Sequence, residues 1–126
     1  MRPTLDDKRP IFQQIREMIE DEIVDGRLLE ESQAPSTNQL VAYYKINPAT
    51  VLKGLNELVD ARILYKKRGV GMFVAKGAKA TLLNERKQVF QEDYVARMLQ
   101  EANRLGLSVD DVQQMIDSMK KRGDAK

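Results

Sequence analysis

The amino-acid sequence predicts a mainly α-helical protein with one small β-hairpin. Three observations predict this fold class: two short, capped amphipathic segments at residues 36–58, two strand-like segments around a basic turn at residues 63–75, and apolar stripes at helical spacing across residues 82–119. With 126 residues, the chain is long enough for one compact domain, or for a small domain followed by an oligomerisation segment.

The most informative helix is predicted to begin at Asn47. Asn47 is a strong N-cap residue, and Pro48 suits the first helical position because its missing N–H would have no partner there. Apolar residues follow at helical spacing and predict a buried face: Val51, Leu55 and Leu58. The opposite face carries small or polar residues and one cation: Asn47, Ala49, Thr50, Lys53 and Asn56. Such a face suits the major groove of DNA, although an ordinary amphipathic surface helix is the alternative.

A second capped helix precedes it. Ser36, followed three residues later by Gln39, has the arrangement of a capping box, and the helix is predicted to run to Tyr44. A break at residues 45–46 separates the two helices. Two short helices joined by a tight turn make a helix-turn-helix, in which the second helix reads base edges.

A basic hairpin is predicted downstream of these helices. Residues 63–66 and 72–75 have the composition of strands. Three cations and two glycines are placed around the turn between them: Lys66, Lys67, Arg68, Gly69 and Gly71. A helix-turn-helix followed by such a hairpin predicts a winged helix, whose hairpin, or wing, meets the phosphate backbone or the minor groove.

Residues 34–40, 46–51 and 68–74 closely resemble the GntR-type bacterial transcription regulators, and the short remaining chain resembles their small YtrA-like branch. The resemblance implies a dimeric, sequence-specific DNA-binding repressor. The candidate DNA-binding residues are Ser36, Thr37, Asn38, Asn47, Ala49, Thr50, Lys53, Lys67, Arg68, Gly69 and Gly71. One departure stands out, because Asn38 occupies a position where the family commonly has Arg. The operator sequence, the regulated genes and any small-molecule effector stay open.

Charge is concentrated where DNA contact is predicted. Residues 35–76 hold seven basic and two acidic side chains, a net of +5, although the whole chain carries only +2. Displacement of counterions from DNA requires a positive excess of this kind. Two other function classes remain open: a non-specific or architectural DNA-binding protein, and a winged-helix adaptor that binds proteins.

The residue inventory argues against an enzyme and against a metal site. The chain has no cysteine and no histidine, so it lacks thiolate ligands, a cysteine nucleophile and the most common general base. We therefore expect no catalytic residue, no metal and no cofactor. No apolar stretch is long enough to span a membrane and no signal-peptide core precedes the first helix, so we expect a cytoplasmic protein.

Two domains are predicted: residues 1–76 as the winged helix-turn-helix, and residues 77–126 as a two-helix dimerisation segment. The second is too short to enclose its own core, so its apolar stripes predict a homodimer interface. The residues assigned to that interface are Leu83, Phe90, Tyr94, Met98, Val112, Met115, Ile116 and Met119. The alternative is that the segment packs on the winged helix of its own subunit.

Three further features complete the predictions. Residues 1–9 are polar and we expect a flexible arm, which is followed by a helix that ends before Gly26. Gly54 interrupts the predicted recognition helix and costs about 1 kcal/mol relative to Ala, for which close packing is one explanation. Arg62 follows the end of that helix, where a cation interacts favourably with the helix dipole.

Overall fold

A computed structural model describes residues 4–123, and it confirms the predicted fold class. The helices of the N-terminal part are α1 (Ile11–Val24), α2 (Thr37–Tyr44) and α3 (Pro48–Asp60), followed by the strands β1 (Leu64–Lys67) and β2 (Gly71–Val74). The remaining helices are α4 (Ala78–Phe90), α5 (Ala96–Arg104) and α6 (Val109–Lys121). The chain divides into two compact units, of which the first ends at Asn84 and the second begins at Glu85.

The core of the first unit lies between α1, α2, α3 and the hairpin. The predicted apolar stripe of α3 is confirmed, since Val51, Leu55 and Leu58 are each at most 1% exposed. Burial of one such side chain stabilises the fold by roughly 1.5–3 kcal/mol. The same cluster includes Ala78 and Leu82 of α4. The first turns of α4 therefore complete the core of the first unit, beyond the predicted boundary at residue 76.

Side-chain hydrogen bonds cap α2 and α3 at the N-termini that the sequence predicts. The Ser36 hydroxyl accepts a bond from the Gln39 N–H at 3.0 Å, and the Gln39 side chain accepts one from the Ser36 N–H at 2.8 Å. Asn47 Oδ1 accepts a bond from the Ala49 N–H at 2.8 Å, and Pro48 is the first helical residue. Lys45 ends α2 in the left-handed conformation, with φ of +56°, and thereby makes the tight turn between the helices.

The hairpin is antiparallel and pairs Leu64 with Val74 and Lys67 with Gly71. Both strands lie one residue closer to the turn than predicted. The segment of residues 31–34 also runs beside β2 and bonds to its backbone: the Ala34 N–H donates to Met72 O at 2.8 Å. The sequence did not predict this pairing, because residues 27–35 read only as a connection.

The prediction of a flexible arm is wrong for residues 6–9. The buried Gln14 side chain accepts a bond from the Asp6 N–H at 3.0 Å and donates to the carbonyls of Asp6 and Arg9 at 2.7 and 2.9 Å. The Arg9 guanidinium also pairs with both carboxylate oxygens of Glu17 at 2.8 Å. These bonds hold the arm against α1. Residues 1–3, which the prediction also included, lie outside the described residues.

At Gly54, α3 packs closely against the backbone of α1. A Cβ at Gly54 would lie 2.7 Å from the backbone oxygen of Phe12 and 3.4 Å from Ile15 Cβ. Beside this contact, Arg16 Nη1 and Glu57 Oε1 form an ion pair at 2.6 Å. Close packing of the two helices therefore explains why α3 contains a glycine despite its cost in helix stability.

The end of α3 combines two helix-terminating features. Arg62 adopts φ of +62°, and its N–H donates to Val59 O while the Ile63 N–H donates to Leu58 O. This pair of bonds is the Schellman motif, which favours glycine at the position of Arg62. Arg62 thus places a cation near the helix C-terminus, as predicted, and also adopts a backbone conformation in which a side chain is uncommon.

In the second unit, α5 and α6 are joined by a short turn at Gly106, which has φ of +76°. Ser108 caps α6 reciprocally with Asp111: each side chain accepts a bond from the other residue's N–H, at 3.0 and 2.8 Å. The long apolar stripe upstream is interrupted by a π-helical turn at Gln91–Val95, which the sequence did not predict. Within residues 4–123, no helix has both the length and the hydropathy of a membrane span.

Glu30 caps the first turn of α4 from outside the helix. The Lys79 N–H donates to Glu30 Oε2 at 3.2 Å. Bonds from the backbone N–H groups of Gly77 and Lys79 lower the pKa of Glu30 from its ordinary value of 4.5. The ionised carboxylate therefore stabilises the N-terminus of α4.

Gly54→Ala is expected to destabilise the protein, although Ala is the better helix former. The added methyl group would lie too close to the Phe12 carbonyl, so we expect the free energy of unfolding to fall by about 1–3 kcal/mol in urea denaturation. Asn84→Ala, at an exposed position of α4, is the control and should be neutral or slightly stabilising. A Gly54→Ala protein as stable as the wild type would contradict the close contact.

Glu30→Gln is expected to lower the melting temperature at pH 7 and to have less effect in acid. A carboxylate whose pKa is lowered by folding contributes stability above its unfolded pKa, and this contribution disappears as the pH falls through the folded pKa. The difference from wild type should therefore shrink below pH 4.5, the ordinary value for this group. Thermal melts from pH 7 to pH 3 would measure it, with the exposed Glu85→Gln as control.

Candidate DNA-binding surface

The structure places the candidate DNA-binding residues on three elements of the first unit: the start of α2, the start of α3 and the hairpin. None of the eleven is buried. Eight are exposed and three are partly buried, the latter being Thr37, Thr50 and Gly71. Every candidate residue that the sequence selected is therefore at least partly exposed at the surface of the unit.

The surface of α3 changes character along the helix. Ala49 and Thr50 lie in the first turn, where the positive end of the helix dipole favours an anionic phosphate. Lys53 follows one turn later, and beyond it come Glu57 and Asp60, whose charge opposes DNA. Within α3, the charges therefore favour DNA at the first two turns over the last turn. Asn56, which the sequence placed on the outer face, has its Oδ1 shielded from solvent.

Lys53 contacts α1 through its side chain. Its Nζ lies 4.0 Å from the centre of the Phe12 ring, which is a cation–π contact. Such a contact is worth about 0.5–1 kcal/mol at an exposed site, which is similar to one surface ion pair. The ammonium group is therefore positioned by Phe12, and a phosphate or a base can compete for it.

The wing carries its cations differently from the prediction. Lys66 and Lys67 lie within β1, so Arg68 is the cation of the turn itself, beside Gly69 with φ of +76°. Lys67 Nζ lies 4.2 Å from the centre of the Phe73 ring. The aromatic ring thus positions Lys67 along the strand, while Arg68 projects from the exposed turn.

Gln33 connects the wing to the start of α2. Its Nε2 donates to the Val70 carbonyl in the wing turn at 3.0 Å, and a Cβ at Gly71 would lie 2.6 Å from the same nitrogen. The contact with Gln33 therefore explains why residue 71 has no side chain. The predicted contact between Gly71 and DNA stays a prediction. Gln33 was not selected from the sequence, because a single polar loop residue gives no periodic signal.

Glu31 connects the same loop to β1. The Tyr65 hydroxyl donates to Glu31 Oε2 at 2.7 Å, and this bond to a carboxylate raises the pKa of Tyr65. Since Ser36 and Asn38 follow this loop directly, the wing and the start of α2 are held by one segment, residues 31–34. Both elements were predicted to contact phosphate.

The groups on this surface suit non-covalent binding of a nucleic acid. It offers hydroxyl, amide, ammonium and guanidinium groups, which bind phosphate oxygens and base edges. In the part of the chain that the structure describes, no group of three carboxylates is placed to hold a metal ion.

The residues assigned to a dimer interface lie mostly on exposed apolar surface of the second unit. Phe90, Tyr94, Met98, Met115, Ile116 and Met119 are exposed. Val112 is only 7% exposed and therefore belongs to the packing inside the subunit, while Leu83 is half-buried in the first unit. Between α5 and α6 lies an apolar groove of about 350 Å³.

Comparison with known proteins agrees with this architecture. The HTH-type transcriptional repressor YtrA of Bacillus subtilis is 26% identical over 107 residues, which cover 85% of this chain and 82% of that protein. The crystal structure of a GntR-family transcriptional regulator from Bacteroides thetaiotaomicron has 31% identity and a TM-score of 0.74, and the match covers 90% of this chain and 98% of that one.

A third match is to a protein solved with DNA. The crystal structure of AraR(DBD) in complex with operator ORE1 shares 28% identity with a TM-score of 0.52, over 60% of this chain and 94% of that one. The relatives are transcription regulators, so the expectation that this protein is not an enzyme is confirmed. Residues 11–74 match the description "Bacterial regulatory proteins, gntR family", and the chain belongs to that family of DNA-binding transcription regulators.

Proposed function

We propose that this protein is a sequence-specific transcription repressor that binds a two-fold operator as a homodimer in the cytoplasm. The observation that carries the proposal is the start of α3, where a capped helix N-terminus presents Ala49, Thr50 and Lys53 at the surface while its apolar stripe is buried. Helices of this kind dock in the major groove of DNA.

Each element has a separate role in the proposed complex. Ala49 and Thr50 contact base edges, since a methyl group and a hydroxyl can distinguish thymine from the other bases. Lys53 leaves the Phe12 ring to bind a phosphate or a guanine. Ser36 and Asn38 at the start of α2 set the register on the backbone, and Arg68 in the wing binds a phosphate or the minor groove.

The proposed homodimer is supported by the second unit. Its exposed aromatic and methionine side chains form an apolar surface that its own helices leave uncovered, and large exposed patches of this kind mark interaction sites. A dimer with two-fold symmetry also supplies the two copies of α3 that the half-sites of an operator require. The operator complex of AraR(DBD) supports specific DNA binding by this type of winged helix.

Specific and architectural binding are distinguished by the ratio of two affinities. Selection of bound fragments from the source genome identifies an operator, which is then compared with random DNA of equal length at two salt concentrations. A specific repressor is expected to prefer the operator by about 10³ or more. Equal affinity for both DNAs would favour an architectural protein, and no affinity for either would favour a protein-binding adaptor.

Thr50→Ala is expected to weaken operator binding by about 1–3 kcal/mol and to leave binding to random DNA unchanged, because Thr50 contacts a base. Fluorescence anisotropy with both DNAs measures the difference. An equal loss of affinity on operator and random DNA would assign Thr50 to the backbone instead.

Arg68→Ala is expected to weaken binding to operator and random DNA alike, because Arg68 contacts phosphate. The slope of log affinity against log salt should fall by about one unit. Arg97→Ala removes an exposed cation from α5 and serves as the control. An unchanged salt slope in Arg68→Ala would remove the wing from the proposed interface.

A further inference from the structure

Helix α6 has opposite charges at its two ends. Its first turn carries Asp110 and Asp111, and its last turn and C-cap carry Lys120, Lys121 and Arg122. Between the ends, two methionine side chains are left exposed, since Met115 and Met119 are 50% and 46% exposed. If a second copy of α6 ran in the opposite direction, its basic end would lie beside the acidic end of the first copy.

One face of α6 has the spacing of a helix-packing seam. Asp111, Met115, Ser118 and Arg122 are separated by four, three and four residues, and a helix turns about 100° per residue, so all four lie on one face. Alternating steps of four and three are the spacing by which paired helices pack knobs into holes. The four residues line one groove of about 600 Å³, together with Leu107, Gln114 and Met119.

We infer that α6 packs against α6 of a second copy of this chain, antiparallel and across a two-fold axis. In this register Asp111 faces Arg122 of the partner subunit and Met115 faces Ser118 of the partner subunit. The inference rests on the proposed homodimer, to which it adds the contacting helix, the direction and the register.

Electrostatics select the antiparallel arrangement. A parallel pair would place Asp111 against the partner's Asp111 and Arg122 against the partner's Arg122, and like charges across an interface oppose association. The antiparallel pair replaces both with opposite charges and also aligns the helix dipoles favourably. The small side chain of Ser118 allows the two helices to approach closely opposite Met115.

The Asp111 carboxylate remains charged in this arrangement. Its Oδ2 accepts the Ser108 N–H at 2.8 Å, and this bond lowers the pKa of Asp111. The same carboxylate therefore serves the N-terminal cap of α6 and presents negative charge to the partner. The contact is isologous, so the Asp111–Arg122 ion pair occurs twice in the dimer, once on each side of the two-fold axis.

A charge exchange between two variants tests the register. Arg122→Glu places a carboxylate against Asp111 of the partner subunit, and self-association measured by sedimentation equilibrium should weaken by about tenfold or more. Asp111→Arg should weaken it similarly, because it places two guanidinium groups together. In a mixed dimer both contacts join opposite charges: the new carboxylate at position 122 of one chain faces the new guanidinium at position 111 of the other, and the natural Asp111 faces the natural Arg122. In an equimolar mixture a heterodimer should therefore form in preference to either variant homodimer. A restored helix cap cannot cause this rescue, because the Asp111→Arg chain still lacks its capping carboxylate in the mixture.

Lys120→Glu is the matched control. It makes the same charge change in the last turn of α6, about 200° around the helix from Arg122. It should leave self-association near the wild-type value, which separates a specific ion pair from a general effect of charge at the helix end. Weakening of the Lys120→Glu dimer to the same degree as Arg122→Glu would overturn the register.

Cross-linking provides a test that does not depend on the stability of the Asp111 variant. The natural chain has no cysteine, so Met115→Cys and Ser118→Cys each introduce a single thiol. Oxidation of a mixture should give a disulfide between positions 115 and 118 of different subunits, identified by mass spectrometry of the joined peptides. A mixture of Met115→Cys with Gln113→Cys should give much less.

Parallel measurements on the wild-type chain separate this inference from the proposed function. A wild-type dimer that binds its operator, combined with no effect of Arg122→Glu and no 115–118 disulfide, would overturn this register and leave the proposed function standing. A wild-type chain that sediments as a monomer at every concentration would overturn both.

Discussion

The close packing of α3 against α1 at Gly54 is the constraint on which the candidate DNA-binding surface depends. The Phe12 carbonyl lies 2.7 Å from the position that a Cβ of residue 54 would occupy, so α3 packs on α1 too closely for a side chain at this point. The Arg16–Glu57 ion pair and the Lys53–Phe12 contact lie along the same interface. The residues that α3 presents to solvent are therefore determined by those it buries.

A second dependence links the wing to α2. Residues 31–34 bond to β2 through the backbone, and the side chains of Gln33 and Glu31 reach the wing turn and β1. The segment leads directly into the N-cap Ser36. Two elements that are proposed to contact phosphate are thus positioned by one loop, which limits how far the wing can move independently of α2.

The second unit follows different physical rules. Its helices are short, its buried side chains are few, and much of its apolar surface is exposed. In the proposed dimer, apolar burial on α6 would supply affinity, while the opposite charges at the two ends of the helix would select its direction. These features support the proposal that the unit forms one half of a dimer interface, in contrast to the first unit with its own core.

The sequence by itself determined the helix boundaries of the winged helix, the hairpin to within one residue, and the buried stripe of α3. These features rest on partners within a few residues, such as Ser36 with Gln39 and Asn47 with Ala49. Only the tertiary structure decided that Gln14 holds residues 6–9, that Gln33 covers Gly71, and that Phe12 positions Lys53. Most of these pairs are far apart along the chain or in different elements, so no local pattern of spacing could reveal which side chains meet.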